Sequence, residues 1–305
     1  MATAEFSTLL LWLGAFTVIL ADVLLIVRVA GPFSPPRTRQ AWLLTPFGFA
    51  MLSALLTPAR WLALGLLGLA VIVHGAGHLA WLRGLGGAIG SAPDGPVARV
   101  EALRRRWQVQ CRVRVCVDRT EGASPAMLGL WQQTLVLPGG WESRSDDREF
   151  EAVVAHELAH AERRDPLRIW LLGLLRSLLG WHPLARRALD HLALEIELEA
   201  DRQAASWLDD RRAYALALAR WADQAEAAAR SGAGARLAGR PRTLLIRLRV
   251  LLDPTSPAPH LSLPRPLAAL DRRSRRGPGR ELPAAFALAY QGFWLALFEV
   301  ARRLW

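Results

Sequence analysis

His156, Glu157 and His160 stand in the run HELAH, inside the longer stretch EFEAVVAHELAHAERRDP. Residues four apart lie on one face of a helix, so His156 and His160 can aim a ring nitrogen at the same ion. Glu157, one position beyond the first histidine, is near enough to take a proton from a water activated by that ion. Ala, Glu and Leu are also strong helix formers, so the same five residues suit one turn of an ordinary helix. A third ligand has to decide between the two readings.

The stretch EIELEAD, residues 195–201, offers one. Glu197 and Asp201 are one helical turn apart, so if Glu197 reaches the metal, Asp201 can hydrogen-bond a ligand histidine and fix its ring. Two histidines and a carboxylate, with a fourth position left to water, is the arrangement of a catalytic rather than a structural zinc site. Without a metal, Glu195, Glu197 and Glu199 would form a solvated acidic face on an Ala/Leu-rich helix. His182 and His191 are nearby in sequence, but no spacing forces them into the site, and both read as structural. His74 and His78, in HGAGH, are four apart inside an apolar run, where ionisable groups are functional candidates; Asp22 in an earlier run is a candidate partner.

The elements that must position these residues divide into two kinds. Hydrophobic residues make up 52% of the 305-residue chain, yet its net charge is +11, and all 38 basic residues are arginine. Mean hydropathy is +0.18. A soluble globule does not combine these values easily, whereas apolar membrane segments separated by arginine-rich stretches do. Residues 6–29 are nearly all apolar and long enough to span a bilayer; no basic residue precedes them, so they read as a retained span. Arg28, Arg37 and Arg39 place the following loop in the cytoplasm. Residues 41–56 and 61–82 read as two more spans, joined by the TPAR break in a tight hairpin. A last apolar stretch, 282–301, reads as a fourth span despite Gln291 and Glu299.

These features divide the chain into a membrane domain (1–83), a Gly/Pro-rich linker (84–96), a mixed domain (97–255), a polar linker (256–281) and the fourth span (282–305). In the mixed domain, 97–107 reads as a basic helix. CRVRVCVDR alternates as a strand with Val113, Val115 and Val117 on one half-buried face, and AMLGL with TLVLP reads as a hairpin. The HELAH helix starts near SRSDDRE, where Asp146 and Glu149 have capping-box spacing. Asp165 and Pro166 then supply the N-cap and first turn of the next helix. That helix, LRIWLLGLLRSLLGW, reads as lying against the membrane surface with Trp170 and Trp181 as anchors. Pro183 opens a long helix, an Ala-rich helix follows, and RTLLIRLRVLLDP is a basic segment. Cys111 and Cys116 differ by an odd number, so on a strand they face opposite ways and do not pair.

HELAHAERRD, WHPLARRAL and EIELEAD, in that order, resemble the membrane-embedded zinc peptidases typified by the BlaR/MecR β-lactam sensor-transducers. SPAMLGLWQQTLVLP resembles that family too, and the likeness covers residues 97–208 and the three leading spans. The resemblance implies a gluzincin: zinc held by His156, His160 and Glu197, Glu157 as general base and acid, and Asp201 supporting a ligand. It also implies that Leu128, Gly129 and Leu130 form the edge strand on which a peptide substrate lies. The sensor-transducers continue beyond their last span into an extracellular β-lactam-binding domain; this sequence stops at Trp305, so direct antibiotic sensing is not supported.

The expected fold is thus an α-helical membrane protein carrying an α+β zincin-like cytoplasmic domain, mostly helical with a small antiparallel sheet. The expected activity is a zinc-dependent endopeptidase at the cytoplasmic face of a bacterial-type membrane, acting on a protein or peptide, with a regulator or repressor as a candidate substrate. The rival readings are a quality-control membrane protease and a non-proteolytic signalling or scaffold protein with structural zinc. Membrane lipid is an expected partner. Nucleic acid is not, because the arginines are scattered rather than gathered on one reading element. Oligomeric state is open.

Overall fold

Prolines and charged residues mark where the elements begin. The computed structural model describes residues 13–14, 16–24, 26–27, 36–56, 60–86, 89–119, 124–140, 147–230 and 241–253. By their internal contacts, residues 1–63, 183–188 and 257–305 form one unit, and 64–182 with 189–256 form another.

In the first unit, residues 16–24 are helical and bury Phe16, Leu20, Val23 and Leu24, the spacing of one helix face. Helix α1, Pro36–Leu56, buries Leu43, Phe47 and Ala50. The Phe16 and Phe47 rings meet edge-on at 6.2 Å, the arrangement that their opposed edge and face charges favour. Helix α2 spans Arg60–Gly86 and belongs to the second unit from Leu64 onward. Among the described residues, no helix is long and apolar enough to cross a membrane. Residues 57–59 of the TPAR break and the stretch 282–301 lie outside the described residues.

The second unit combines helices with a small sheet. Its strands are β1 (Ile89–Ser91), β2 (Val113–Asp118), β3 (Ala126–Leu128) and β4 (Gln133–Pro138), in the order β1-β2-β4-β3. The expected hairpin is present, with Met127 opposite Leu135. The sheet is not antiparallel throughout: β4 runs parallel to β2, with Val115 opposite Leu135 and Val117 opposite Leu137, so the sheet is mixed. Burial accounts for the order. Leu135, Val136 and Leu137 are all at most 2% exposed, so β4 needs neighbours on both edges, while the three-residue β3 can stay outermost. The alternation of β2 is also less one-sided than its valines suggest, since Cys116 and Asp118 on the opposite face are buried. Cys111 and Cys116 are free thiols.

Around the sheet lie α3 (Asp94–Arg106), α4 (Asp147–Glu162), α5 (Asp165–Leu179), α6 (Pro183–Leu208), α7 (Arg211–Arg230) and α8 (Pro241–Leu252). Helix α4 is the axis of the core. Twelve of its 16 residues are buried, which is possible because Ala152, Ala155, Ala159 and Ala161 let neighbours approach closely. Its apolar side meets Leu135 and Leu137 of β4, Val100 and Leu103 of α3, Leu218 of α7 and Leu251 of α8. Burying a side chain such as Leu158, fully inaccessible here, contributes about 2 to 3 kcal/mol. The expected α4 cap cannot be assigned, because Asp146 lies outside the described residues.

Gly129 turns the chain out of β3. Its φ is +94°, and a Cβ there would lie 2.0 Å from the Gln132 carbonyl oxygen, so the turn admits only glycine. Gly129→Ala should therefore cost about 2 kcal/mol or more and loosen the β3–β4 hairpin, read by chemical denaturation and by faster amide exchange in residues 126–136.

Candidate metal centre

The second unit brings the predicted ligands together from two helices. His156 and His160 project from one face of α4, with Nε2 atoms 3.2 Å apart. Glu197, on α6, lies between them, with Oε2 3.5 Å from His156 Nε2 and Oε1 3.8 Å from His160 Nε2. One ligand atom from each lies within 4.8 Å of the others, a group that could hold a metal ion, and no other such cluster occurs among the described residues. Both histidines are buried, while the Glu197 side chain is 31% exposed, so the group opens toward solvent on the carboxylate side.

The donor set fits zinc, because the far side of each imidazole is already committed. His160 Nδ1 lies 2.7 Å from Asp165 Oδ2. His156 Nδ1 lies 3.0 Å from the Tyr214 hydroxyl and 3.2 Å from Asp201 Oδ1, and Tyr214 donates to the same carboxylate at 2.7 Å. Carboxylates at Nδ1 orient the rings and direct both Nε2 atoms at one point, the usual support for a histidine-ligated metal. Asp201 therefore stands where the sequence places it.

Other groups at the centre were not legible as such. Asp165 is not an N-cap: Arg164, at φ 55°, precedes the helix, no side chain caps it, and the wholly buried Asp165 carboxylate serves His160 instead. Arg163 and Arg168 pair with it, the latter at 3.0 Å, and supply the charge that lets a carboxylate sit in the interior. Arg247, in the basic segment now seen as α8, reaches Asp201 and Glu197. Pairs from distant segments, such as Asp201 with Arg247, carry no local spacing signal.

The remaining predicted residues are placed as follows. Glu157 is buried on α4 beside His156. Leu128 ends the edge strand β3, whereas Gly129 and Leu130 have left it. His191 Nε2 lies 3.5 Å from Glu195, one turn along α6, and His182 is buried; neither belongs to the ligand group. His74 and His78 are not in the ligand group found among the described residues. His74 Nε2 is 3.1 Å from the Trp170 carbonyl, and His78 stacks on Trp81.

Charge is finely balanced here. Burial opposes ionisation of Glu197 and Asp201, but Arg247 and His156 outweigh it and hold both carboxyls far below the usual range. Burial likewise disfavours the charged form of His156, and Arg247 adds to that, yet hydrogen bonds to Asp201 and Glu197 prevail and raise it to about 9. Burial and the Asp201 charge push the Tyr214 hydroxyl well above its ordinary value, so it is a hydrogen-bond donor at neutral pH.

This ligand set defines a class, that of metal-dependent hydrolytic centres carried on a His-x-x-x-His helix. Residues 62–251, more than half of the chain, match the family described as BlaR1 peptidase M56, and the chain belongs to that peptidase family. No curated protein matches it.

Two expectations follow from the geometry. Asp165→Asn, which removes the charge from the carboxyl that orients His160, should weaken zinc binding on the order of 10- to 100-fold, measured by competition with a chromophoric chelator. Without metal, the raised value of His156 gives stability that is complete below the ordinary histidine value near 6.5 and lost as pH rises through about 9. Melting temperature in chelator should thus fall across that interval, and saturating zinc should flatten the profile because an imidazole coordinated through Nε2 stays neutral, keeping only its Nδ1 proton.

Proposed function

We propose that this chain is a zinc-dependent endopeptidase that cleaves a protein substrate close to the cytoplasmic face of a membrane. The observation that carries the reading is the convergence of His156 Nε2, His160 Nε2 and the Glu197 carboxylate, with Glu157 directly after the first ligand. Family membership supports peptide-bond hydrolysis as the chemistry.

A zinc ion bound there supplies Lewis-acid chemistry, acidifying water and polarising the scissile carbonyl. The protein's own residues do the rest. His156 and His160, with rings oriented by Asp201 and Asp165, and Glu197 are the ligands. Glu157 takes the proton from the attacking water and passes it to the departing amine, a role open to a carboxylate within one water of the reacting atoms. The outermost strand, β3, offers an unpaired edge on which an extended peptide can be added through main-chain hydrogen bonds, with Leu128 at its end.

The membrane setting rests on the apolar runs 6–29, 41–56, 61–82 and 282–301 and on the arginines beside them. In this reading the catalytic unit is cytoplasmic, in a multi-pass protein of the cytoplasmic membrane, and lipid is its permanent neighbour. A regulator or repressor is the natural substrate class, following the resemblance to the sensor-transducers.

Glu157→Gln should keep zinc bound while lowering cleavage by about 10²- to 10⁴-fold, since it removes only the proton acceptor. New protein N-termini compared between cells expressing the wild type and this variant should include a set present only with the wild type. Identical termini in both, with equal zinc content, would sink the peptidase reading and leave a signalling or scaffold protein with structural zinc.

A further inference from the structure

We infer that Arg247 is a positioning residue that makes Glu197 a one-oxygen ligand and so keeps coordination positions free for water and substrate. This deepens the zinc-peptidase reading and rests on it. The Arg247 side chain is 12% exposed, and its guanidinium nitrogens are divided among three groups. Nε donates to Asp201 Oδ2 at 2.7 Å and Nη2 to Oδ1 at 2.8 Å, a two-point fork that fixes the guanidinium plane. With the plane fixed, Nη1 has one direction left, and it meets Glu197 Oε2 at 2.9 Å.

The two oxygens of Glu197 therefore differ. Oε2, 3.5 Å from His156 Nε2, is also held by a permanent cation at 2.9 Å, whereas Oε1 faces His160 Nε2 at 3.8 Å. An oxygen that already accepts from a guanidinium is the poorer donor to an ion, so coordination through Oε1 is favoured. A Glu197 free to bind through both oxygens would fill a position that a catalytic zinc site keeps open. Nη2 also lies 3.3 Å from His156 Nε2, so the guanidinium borders the ligand group along the side of His156 and Oε2. Lysine cannot replace this arrangement, since an ammonium has no planar fork with which to hold Asp201 and Glu197 together.

The test uses the full chain in detergent, with Co²⁺ as a spectroscopic probe and zinc affinity measured by chelator competition. Arg247→Lys keeps the charge and loses the fork. It should weaken zinc binding on the order of 10- to 100-fold and change the cobalt visible bands toward the weaker absorption of a higher coordination number. Removing Arg247 outright leaves two buried carboxylates without their cation and can prevent folding. Asp201→Asn/Arg247→Gln, which deletes one buried charge of each sign, is therefore compared with Asp201→Asn alone, and the same spectral change is expected between those two. Folded variants with unchanged cobalt spectra and zinc affinity would overturn the inference and reduce Arg247 to a structural ion-pair partner, leaving the peptidase reading intact. A wild type that binds zinc but cleaves nothing, with the expected cobalt changes in its variants, would fail the peptidase reading alone. A wild type that binds neither metal would overturn both.

Discussion

Everything at the centre depends on placing two imidazoles 3.2 Å apart, nitrogen to nitrogen, in the interior of the protein. Rings left to choose their own rotation would turn their polar edges toward whatever partner is available. The structure removes that choice by giving each Nδ1 a buried carboxylate, Asp201 for His156 and Asp165 for His160. Buried carboxylates in turn require cations, since breaking such a pair by deleting one member costs roughly 3 to 5 kcal/mol. Arg247 answers Asp201, and Arg163 with Arg168 answers Asp165. The same demand thus propagates outward from the histidines through one layer of acids to one layer of arginines.

That layering explains why α4 is buried on nearly every side. A helix that must present two imidazoles at a fixed spacing has to be held rigidly, and its small alanines allow neighbours to close on it directly. The apolar contacts of Phe150, Val154 and Leu158 supply the stability, and the polar shell spends part of it on orientation. Tyr214 links the two systems, since its ring belongs to the apolar core while its hydroxyl serves Asp201 and His156.

Local pattern carried a large part of this into the sequence. HELAH and EIELEAD pointed to the group now seen together because helical periodicity places residues four apart on one face, and the start of α6 followed from Pro183. The β3–β4 hairpin was legible for a similar reason. Pairing between β2 and β4 was not, because which edge of a hairpin docks on its neighbour is settled by burial of Leu135 and Leu137 rather than by spacing. Asp165 looked like a cap because Asp-Pro is common at helix starts, and nothing local says that its carboxylate turns back to a histidine five residues earlier. Arg247 was one arginine among many in a chain rich in them; only the folded contact distinguishes it.

The order in which the groups of the centre occur along the chain has a temporal meaning. Both histidines, Asp165, Glu197 and Asp201 precede Arg247 by 46 residues or more. During synthesis a nascent chain therefore carries Glu197 and Asp201 for several seconds, at ordinary elongation rates of about 5 to 20 residues per second, before the guanidinium that balances them leaves the ribosome. Until then, α4 and α6 have reason to stay apart, because bringing Glu197 and Asp201 into the interior uncompensated is unfavourable. Closure of the centre is thereby tied to the arrival of α8, the element that carries Arg247.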